Sequence, residues 1–230
     1  MKRQLFTWYA LLALVPAMAS MPLTLRSEEQ AEVPLMRDVF AAMPDSVLPL
    51  VTKNNRLDCI DFIENNMEAK VRNAFDEYVT LEALTSSYAR FRTSAASLME
   101  LKLLPVNDTT SILCIVTTAQ MGEPDTSRRL EDSNIRFLRS DWSPLSSPLT
   151  LDQPSVASFF TVAAPDSLSA DARQAYHSLL SFHPLRMQLS EDCTTLTLTL
   201  QTAYLSVAEK KAVYGLLQPL VLEWNGEKFR

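Results

Sequence analysis

The hydrophobic period of this chain changes near Tyr78, and that change limits the folds open to it. Before this point the apolar residues recur with helical spacing. After it, "VTLEAL", "YARFRT" and "LMELKLL" alternate apolar and polar residues, whereas "SILCIVTT" is continuously apolar. Alternation is typical of strands with one buried face, and a continuous apolar run indicates a central strand. The pattern predicts an α+β fold in which helices pack on antiparallel β-sheet.

A stretch rich in proline and serine, "SPLSSPLTLDQPS", follows the last strand of this block. Its three prolines and four serines are typical of a linker. The predicted organisation is a signal peptide at 1–19, an N-terminal tail at 20–33, a helical lead-in plus antiparallel sheet subdomain at 34–143, a linker at 144–155 and an α+β subdomain at 156–230.

The two predicted subdomains resemble each other weakly. Residues 99–119 and 186–203 both read as hairpins with an acidic turn and a Thr-Thr pair, and each is followed by a strand that ends in an acid-Trp pair. An internal duplication would explain the resemblance, and so would chance convergence of alternating strands. In the second subdomain Ser206 and Glu209 have the spacing of a helix capping box, and Gly215 can close that helix.

The N-terminus has the layout of a secretory signal. Lys2 and Arg3 precede an apolar run at 5–15, and Ala17-Met18-Ala19 offers the small residues that signal peptidase requires. The run is too short to span a bilayer, although a permanent N-terminal anchor is the alternative. We expect an exported protein that is periplasmic or extracellular.

The charge of the chain is acidic. Cleavage after Ala19 removes two basic residues and no acid, so the net charge falls from −6 to −8. This balance argues against nucleic acid and against anionic membranes as partners. No later segment is long and apolar enough to cross a membrane, so we expect no integral membrane segment after signal cleavage.

Glycine and histidine are scarce, which excludes several kinds of site. The three glycines do not cluster, so the sequence has no phosphate-binding loop, dinucleotide fingerprint or G-x-S-x-G elbow. The two histidines, His177 and His183, lie outside any H-E-x-x-H motif. The sequence therefore nominates no catalytic residue, no metal ligand and no cofactor.

Three cysteines remain in the predicted mature chain, Cys59, Cys114 and Cys193. An exported domain held by disulfides usually has a denser, even-numbered set. At most one bridge can form here, and the sequence leaves open whether Cys114 pairs with Cys193. Cys114 lies in the continuously apolar run, where a cysteine is most often a small buried hydrophobe.

Acidic residues repeat along a helix predicted at about 56–73. Asp61, Glu64 and Glu68 follow the spacing i, i+3 and i+7, which places them on one stripe. Such a stripe could hold a hard cation, but helical carboxylates without loop carbonyls make a poor calcium site. We favour a solvated helix face and keep the three residues as binding-surface candidates.

Three aromatic residues are further candidates for a binding surface, Trp142, Trp224 and Tyr204. Tryptophan and tyrosine dominate the energetics of protein interfaces. The alternative, which we favour, is that they close the ends of the sheets against the core.

The segment "DVFAAMPDSVLPLVTKNNRLDCIDFIE", at 38–64, resembles a family of exported Bacteroidales proteins that is classed as a domain of unknown function. The similarity continues through "ALTSSYARFRTSAASLMELKLLP" to "SDWSPL", mainly over residues 38–145. The resemblance implies a Gram-negative envelope setting. It implies no activity and brings no catalytic residues.

These observations favour a non-enzymatic binding or assembly module with a protein partner in the envelope. One alternative is a hydrolase of unfamiliar type, which needs a pocket where Cys59, Cys193, His177 or His183 meets acids. The other is a carrier of a small apolar ligand, which needs a closed cavity lined by the inward residues of 99–119 and 185–200.

Overall fold

An antiparallel sheet of six strands lies at the centre of the structure, which is a computed structural model and describes residues 33–122, 129–162 and 168–230. Its strands, in both chain order and spatial order, are β1 (Lys70–Arg72), β2 (Tyr78–Leu84), β3 (Tyr88–Ser94), β4 (Ser97–Pro105), β5 (Ser111–Met121) and β6 (Leu130–Arg139). A second antiparallel sheet contains β7 (Leu185–Leu189), β8 (Thr195–Leu200) and β9 (Leu220–Glu223). The helices are α1 (Met36–Ala41), α2 (Lys53–Glu64), α3 (Ala170–Ser181) and α4 (Val207–Val213), with a 3-10 turn at Val156–Phe159.

These elements confirm the predicted α+β class. The continuously apolar segment is the central strand β5, which pairs with β4 on one side and β6 on the other. The predicted turn between β4 and β5 is held by the Asn107 side chain, which accepts hydrogen bonds from the backbone N–H groups of Thr109 and Thr110. Short, sequential antiparallel connections follow from such local turns.

One face of the six-stranded sheet packs against α1 and α2. Alternate residues of β3, β4 and β5, among them Phe91, Leu101 and Ile115, point into this core and are almost wholly buried. Phe40 of α1 meets Phe91 edge to face, with ring centroids 5.4 Å apart. Burial of a large apolar side chain contributes about 1.5–3 kcal/mol, so this layer holds the helices on the sheet.

The opposite face of the six-stranded sheet packs against the three-stranded sheet and α3. Leu104, Val116 and Phe137 on the larger sheet share one core with Leu198 of β8 and Leu179 of α3. The molecule is therefore layered, with the helices α1 and α2 on one side of the central sheet and the smaller sheet on the other.

The free edge of β7 is paired with side chains of the larger sheet. The N–H of Leu185 donates to Asp132 Oδ1 at 3.2 Å, and the N–H of Met187 donates to Ser133 Oγ at 2.9 Å. The N–H of Leu189 donates to the carboxylate of Glu100. An edge strand otherwise presents unpaired backbone groups, so these three side chains both satisfy the edge and fix where the smaller sheet docks.

The helix predicted at about 56–73 is wrong in its bounds. It begins at Lys53, where Thr52 and Asn55 form a capping box, and ends at Glu64. Asn66 then adopts a positive φ of 57°, and the backbone continues into β1. Asparagine tolerates this left-handed conformation, so the helix ends at Glu64 and not near residue 73, about two and a half turns before the sequence pattern suggested.

Residues from Glu32 onward form one compact unit. The segment 144–155 has no helix or regular strand, and three of its leucines pack against the shared core. The division into subdomains at 144–155 stays a prediction. The predicted signal peptide and all of the predicted tail except Val33 lie outside the described residues.

Candidate functional site

Two of the three predicted aromatic binding residues lie in the cores. Trp142 is 7% exposed, packs in the α1–α2 core and donates its indole N–H to the carbonyl of Val39 at 2.8 Å. Trp224 is 8% exposed, packs in the core between the sheets and donates to the carbonyl of Pro105 at 2.7 Å. The structure places the two rings on opposite faces of the larger sheet and does not bring them together.

Tyr204 lies apart from both tryptophans, at the surface beside α3. Its ring meets Phe182 edge to face with centroids 5.0 Å apart, and its hydroxyl donates to the carbonyl of Phe182. This contact ties the segment before α4 to the end of α3. Tyr204 is one-third exposed, so its role in binding stays a prediction.

The three predicted acidic residues do not share a helix face. Asp61 accepts from the Asn65 side chain at 3.2 Å, and Glu64 pairs with Arg37 at 2.6 Å. Glu68 follows the end of α2 and lies 3.6 Å from Lys70. Within the described residues no group of three or more His, Cys, Asp or Glu side chains is arranged to hold a metal ion.

The three cysteines are free thiols. Burial raises the pKa of Cys59 to about 11 and raises that of Cys114 well above its usual value. Cys193 is exposed in the β7–β8 turn, where hydrogen bonds between its Sγ and the hydroxyls of Ser190 and Thr195 lower its pKa. In the part of the chain that the structure describes, no cysteine bonds to His177 or His183, so the groups named for a hydrolase are not brought together.

A buried polar cluster lies between the two sheets. Glu100 and Lys102 of β4 are each 2% exposed, and the hydroxyl of Tyr88 donates to Glu100 Oε1 at 2.6 Å. Burial raises the pKa of Glu100, although the bonds from Tyr88 and Leu189 and the charge of Arg90 oppose that rise. Burial also lowers the pKa of Lys102, whose ammonium donates to the carbonyl of Glu191 at 2.7 Å. These groups form hydrogen bonds with one another and with backbone groups of β7 and the β7–β8 turn.

A cleft of about 510 Å³ opens beside this cluster, between the β2–β3 hairpin and the β7–β8 turn. The charged residues in its lining are Glu82, Arg90 and Glu191. Glu82 lies 2.9 Å from Arg90 Nε, although that N–H is not aimed at it for a hydrogen bond, and 2.6 Å from Arg92 Nε. Arg90 in the lining is therefore already paired, and the carboxylates of Glu82 and Glu191 disfavour an anionic ligand there.

A larger pocket, of about 550 Å³, lies where the end of β8 meets α4, and we call it the α4 pocket. Its apolar wall contains Leu200, Val213 and Leu217. Its polar and aromatic lining consists of Arg129, Thr199, Gln201, Thr202, Lys210 and Tyr214. Ligand sites are typically concave and apolar with a few convergent polar groups, and this pocket has that composition and size.

Local sequence rules position the α4 side of this pocket. The predicted capping box is confirmed, because Ser206 Oγ accepts from the N–H of Glu209 and the Glu209 carboxylate accepts from the N–H of Ser206. Gly215, with φ of 76°, turns the chain after α4 in a conformation that favours glycine. Tyr214 is thereby left at the pocket, 89% exposed.

The α4 pocket has cations and no carboxylate among its described lining residues. The Lys210 ammonium donates to the carbonyl of Ala203 at 2.7 Å, which leaves two of its protons for other acceptors. Arg129 Nε lies 3.5 Å from Glu131, which does not line the pocket. The geometry therefore suits an anion held beside Lys210.

The α4 pocket cannot be identified from the sequence. Arg129 and Lys210 are 81 positions apart in the chain, and only tertiary structure brings them to one cavity. The available signal was the capping box with a glycine stop, which predicts a short helix that ends before Gly215. That signal identifies the helix but not the ligand-facing side chains.

Comparison with known proteins gives a family but no activity. The chain is similar to the "Structure of a domain of an uncharacterized protein from Porphyromonas gingivalis W83", with a TM-score of 0.68 and 28% identity over 86% of this chain and 98% of that one. No curated protein matches. Residues 29–229 match the family model described as "Protein of unknown function (DUF3256)", so the family match extends well beyond the 38–145 region that carried the resemblance. This chain therefore belongs to the DUF3256 family of proteins of unknown function.

Proposed function

We propose that this protein is an exported, non-enzymatic binding module of the bacterial envelope and that it binds an anionic component of the envelope in the α4 pocket. The observation that carries the proposal is the lining of the pocket, which includes Arg129 and Lys210 and no described carboxylate. The chain as a whole has a net charge of −6, so a cationic cavity stands against the general charge of the molecule.

Electrostatics support an anionic ligand. A concave site with low-dielectric walls concentrates the field of the charges that line it. Leu200 and Val213 are 7% and 3% exposed and form such a wall. The β2–β3 cleft, by contrast, has the carboxylates of Glu82 and Glu191 in its lining, and Glu82 lies 2.9 Å from Arg90 Nε. An incoming anion thus gains more from the α4 pocket.

The setting of this function rests on the N-terminal sequence. The basic start, the short apolar run and the Ala-x-Ala site support export, and the predicted partner is a protein of the envelope. We propose that this partner carries or presents the anionic group. We expect the mature chain to begin at Ser20. N-terminal sequencing of the protein from periplasmic and culture fractions tests this expectation, and an intact Met1 in those fractions would contradict it.

A charge reversal tests the pocket itself. The mature protein would be sedimented with washed envelope fragments, and its retention compared with that of Lys210→Glu and Lys211→Glu. Both lysines are on α4, but only Lys210 lines the pocket and Lys211 is exposed. We expect Lys210→Glu to weaken retention at least about tenfold, the equivalent of about 1.4 kcal/mol.

The matched variant should retain binding within about twofold, because an exposed charge outside the site contributes little. Equal losses for the two variants would show that retention follows net charge and not the pocket. Absence of retention for the unsubstituted protein would contradict the binding function.

A further inference from the structure

We infer that the α4 pocket takes a sugar that carries a carboxylate, a ligand of the uronic acid class; this rests on the proposed function. The inference draws on three features of the lining: an exposed aromatic ring, hydroxyl and amide groups with unused hydrogen-bonding capacity, and a cation beside an apolar wall. Each feature matches a different part of an acidic sugar.

The aromatic feature is Tyr214. Its side chain is 89% exposed and lines the pocket, and within the described residues its ring makes no aromatic or cation–π contact. A side chain so placed contributes almost nothing to the core. The flat ring offers an apolar surface with a polar hydroxyl at its edge, which suits a ligand with the same division between an apolar face and a polar rim. A pyranose ring has that division.

The polar feature is the group of Thr199, Gln201 and Thr202. In the described part of the chain the two threonine hydroxyls make no hydrogen bond, and the Gln201 amide makes only a long one, 3.4 Å, to the carbonyl of Thr199. Threonine hydroxyls and glutamine amides both donate and accept, as sugar hydroxyls do. Phosphate and sulfate are mainly acceptors and would leave the acceptor atoms of these side chains unmatched.

The cationic feature is Lys210. Its bond to the Ala203 carbonyl fixes the ammonium at the pocket while two protons stay available. No carboxylate of the described residues lies within 4 Å of this ammonium, so the pocket can accept a carboxylate from a ligand without displacing an internal partner. A charged hydrogen bond of this kind is stronger than a neutral one.

The apolar wall completes the match. Leu200, Val213 and Leu217 lie across the cavity lining and can contact the C–H face of a sugar ring that does not stack on Tyr214. The size of the pocket, about 550 Å³, lies within the range of small-molecule sites and exceeds what a lone acetate or phosphate needs.

Titration calorimetry with four probes tests the inference: D-glucuronate, D-glucose, acetate and inorganic phosphate, each added to the mature protein. We expect D-glucuronate to bind at least about tenfold more tightly than any of the other three, because it alone uses the ring surface, the hydroxyl groups and Lys210 together.

Substitution of Tyr214 separates the ring from the charge. Tyr214→Ala should weaken D-glucuronate about three- to tenfold and leave acetate unchanged, whereas Tyr214→Phe should keep the affinity for D-glucuronate within about twofold. Because the side chain is highly exposed, both variants should unfold at the same urea concentration as the parent protein.

Three outcomes overturn the sugar assignment while the pocket remains an anion site: acetate or phosphate binds as well as D-glucuronate, Tyr214→Ala leaves all affinities unchanged, or no probe binds although envelope retention depends on Lys210. Equal affinities for D-glucose and D-glucuronate would show that the carboxylate does not contribute to recognition. A different result, in which envelope retention does not depend on Lys210 at all, would overturn the proposed function itself.

Discussion

The two faces of the six-stranded sheet are covered in different ways. Toward α1 and α2 the sheet contributes apolar side chains such as Phe91 and Leu101, and the buried cation there, Arg56, donates to the carbonyls of Met43 and Val51. Toward β7–β9 the sheet contributes an apolar core together with Glu100 and Lys102. The strand residues named on the first face are apolar, whereas the second face adds two buried charged side chains that make directed hydrogen bonds.

The difference shows how two sheets can dock in a defined position. Apolar contacts favour burial but have little directional preference. On the side of the smaller sheet, the N–H groups of Leu185, Met187 and Leu189 each meet a side-chain oxygen of the larger sheet. A shift of β7 by one residue would leave these donors unpaired, so the polar groups select one docking position.

The largest effect is expected on the helix-covered face. Phe91→Ala removes a wholly buried ring that packs against Phe40 and should lower the free energy of unfolding by about 3–5 kcal/mol in urea denaturation. Phe75→Ala is the control, because this ring is 71% exposed and its loss should change stability by less than about 0.5 kcal/mol. Similar changes for the two variants would contradict the packing described for this face.

The second prediction concerns the pH dependence of stability and the face of the larger sheet that meets β7–β9. Because burial raises the pKa of Glu100 above its ordinary 4.5, the folded protein binds the proton more tightly than the unfolded chain. The stability from this group is complete at pH values below the ordinary pKa and is lost as the pH rises through the raised pKa. Glu100→Gln should remove this loss, so its stability relative to the parent should increase from acidic to neutral pH.

Tyr88→Phe should have the opposite effect on the pH dependence of stability. The Tyr88 hydroxyl stabilises the ionised carboxylate of Glu100, so its removal raises the Glu100 pKa further and makes the decline with pH steeper. Urea denaturation of the three proteins at several pH values measures both effects. A pH dependence that is unchanged in both variants would contradict a buried, titrating Glu100.

A smaller effect is expected at the docked edge. Ser133→Ala removes the acceptor for the N–H of Met187 and should lower stability by about 1 kcal/mol, with faster hydrogen exchange at that amide. Ser155→Ala removes an exposed hydroxyl contact with Ser158 and serves as the control. Unchanged exchange at Met187 in Ser133→Ala would mean that the side chain does not hold the edge.

The smallest effect on stability, and a large one on reactivity, is expected at the cysteines. Cys59 and Cys114 lie in the two cores with raised pKa values, whereas Cys193 is exposed with a lowered pKa. One thiol per folded chain should react with a disulfide reagent at pH 7.5, and none in Cys193→Ala until urea is added. Rapid reaction of a second thiol in the folded protein would contradict the burial of the cores.

The sequence predicted the strands well because their period of two is a local property. It misjudged the end of α2, where Asn65 and Asn66 outweigh an apolar pattern that continues past them. It also gave no sign that Glu100 and Lys102 are buried, because alternation in β4 normally places polar residues in solvent. Here a second sheet, distant in the chain, covers them.

The same limit applies to the candidate site. The capping box and Gly215 locate α4 from local rules, but the lining of the α4 pocket depends on how β8, α4 and Arg129 meet. Trp142 and Trp224, predicted as binding candidates, instead pack in the two cores, which was the alternative that we favoured. Whether the two hairpins arose by duplication stays a prediction.

The most direct test of ligand binding in the α4 pocket is to locate the bound ligand by solution NMR. Amide resonances of the ¹⁵N-labelled mature protein would be followed while D-glucuronate, and in a separate titration acetate, is added. We predict shifts of the amide resonances of Thr199, Thr202, Lys210 and Gly215, and no shift of Gln188 in the β2–β3 cleft. Shifts centred on the cleft, or no shift around the α4 pocket with either probe, would contradict it.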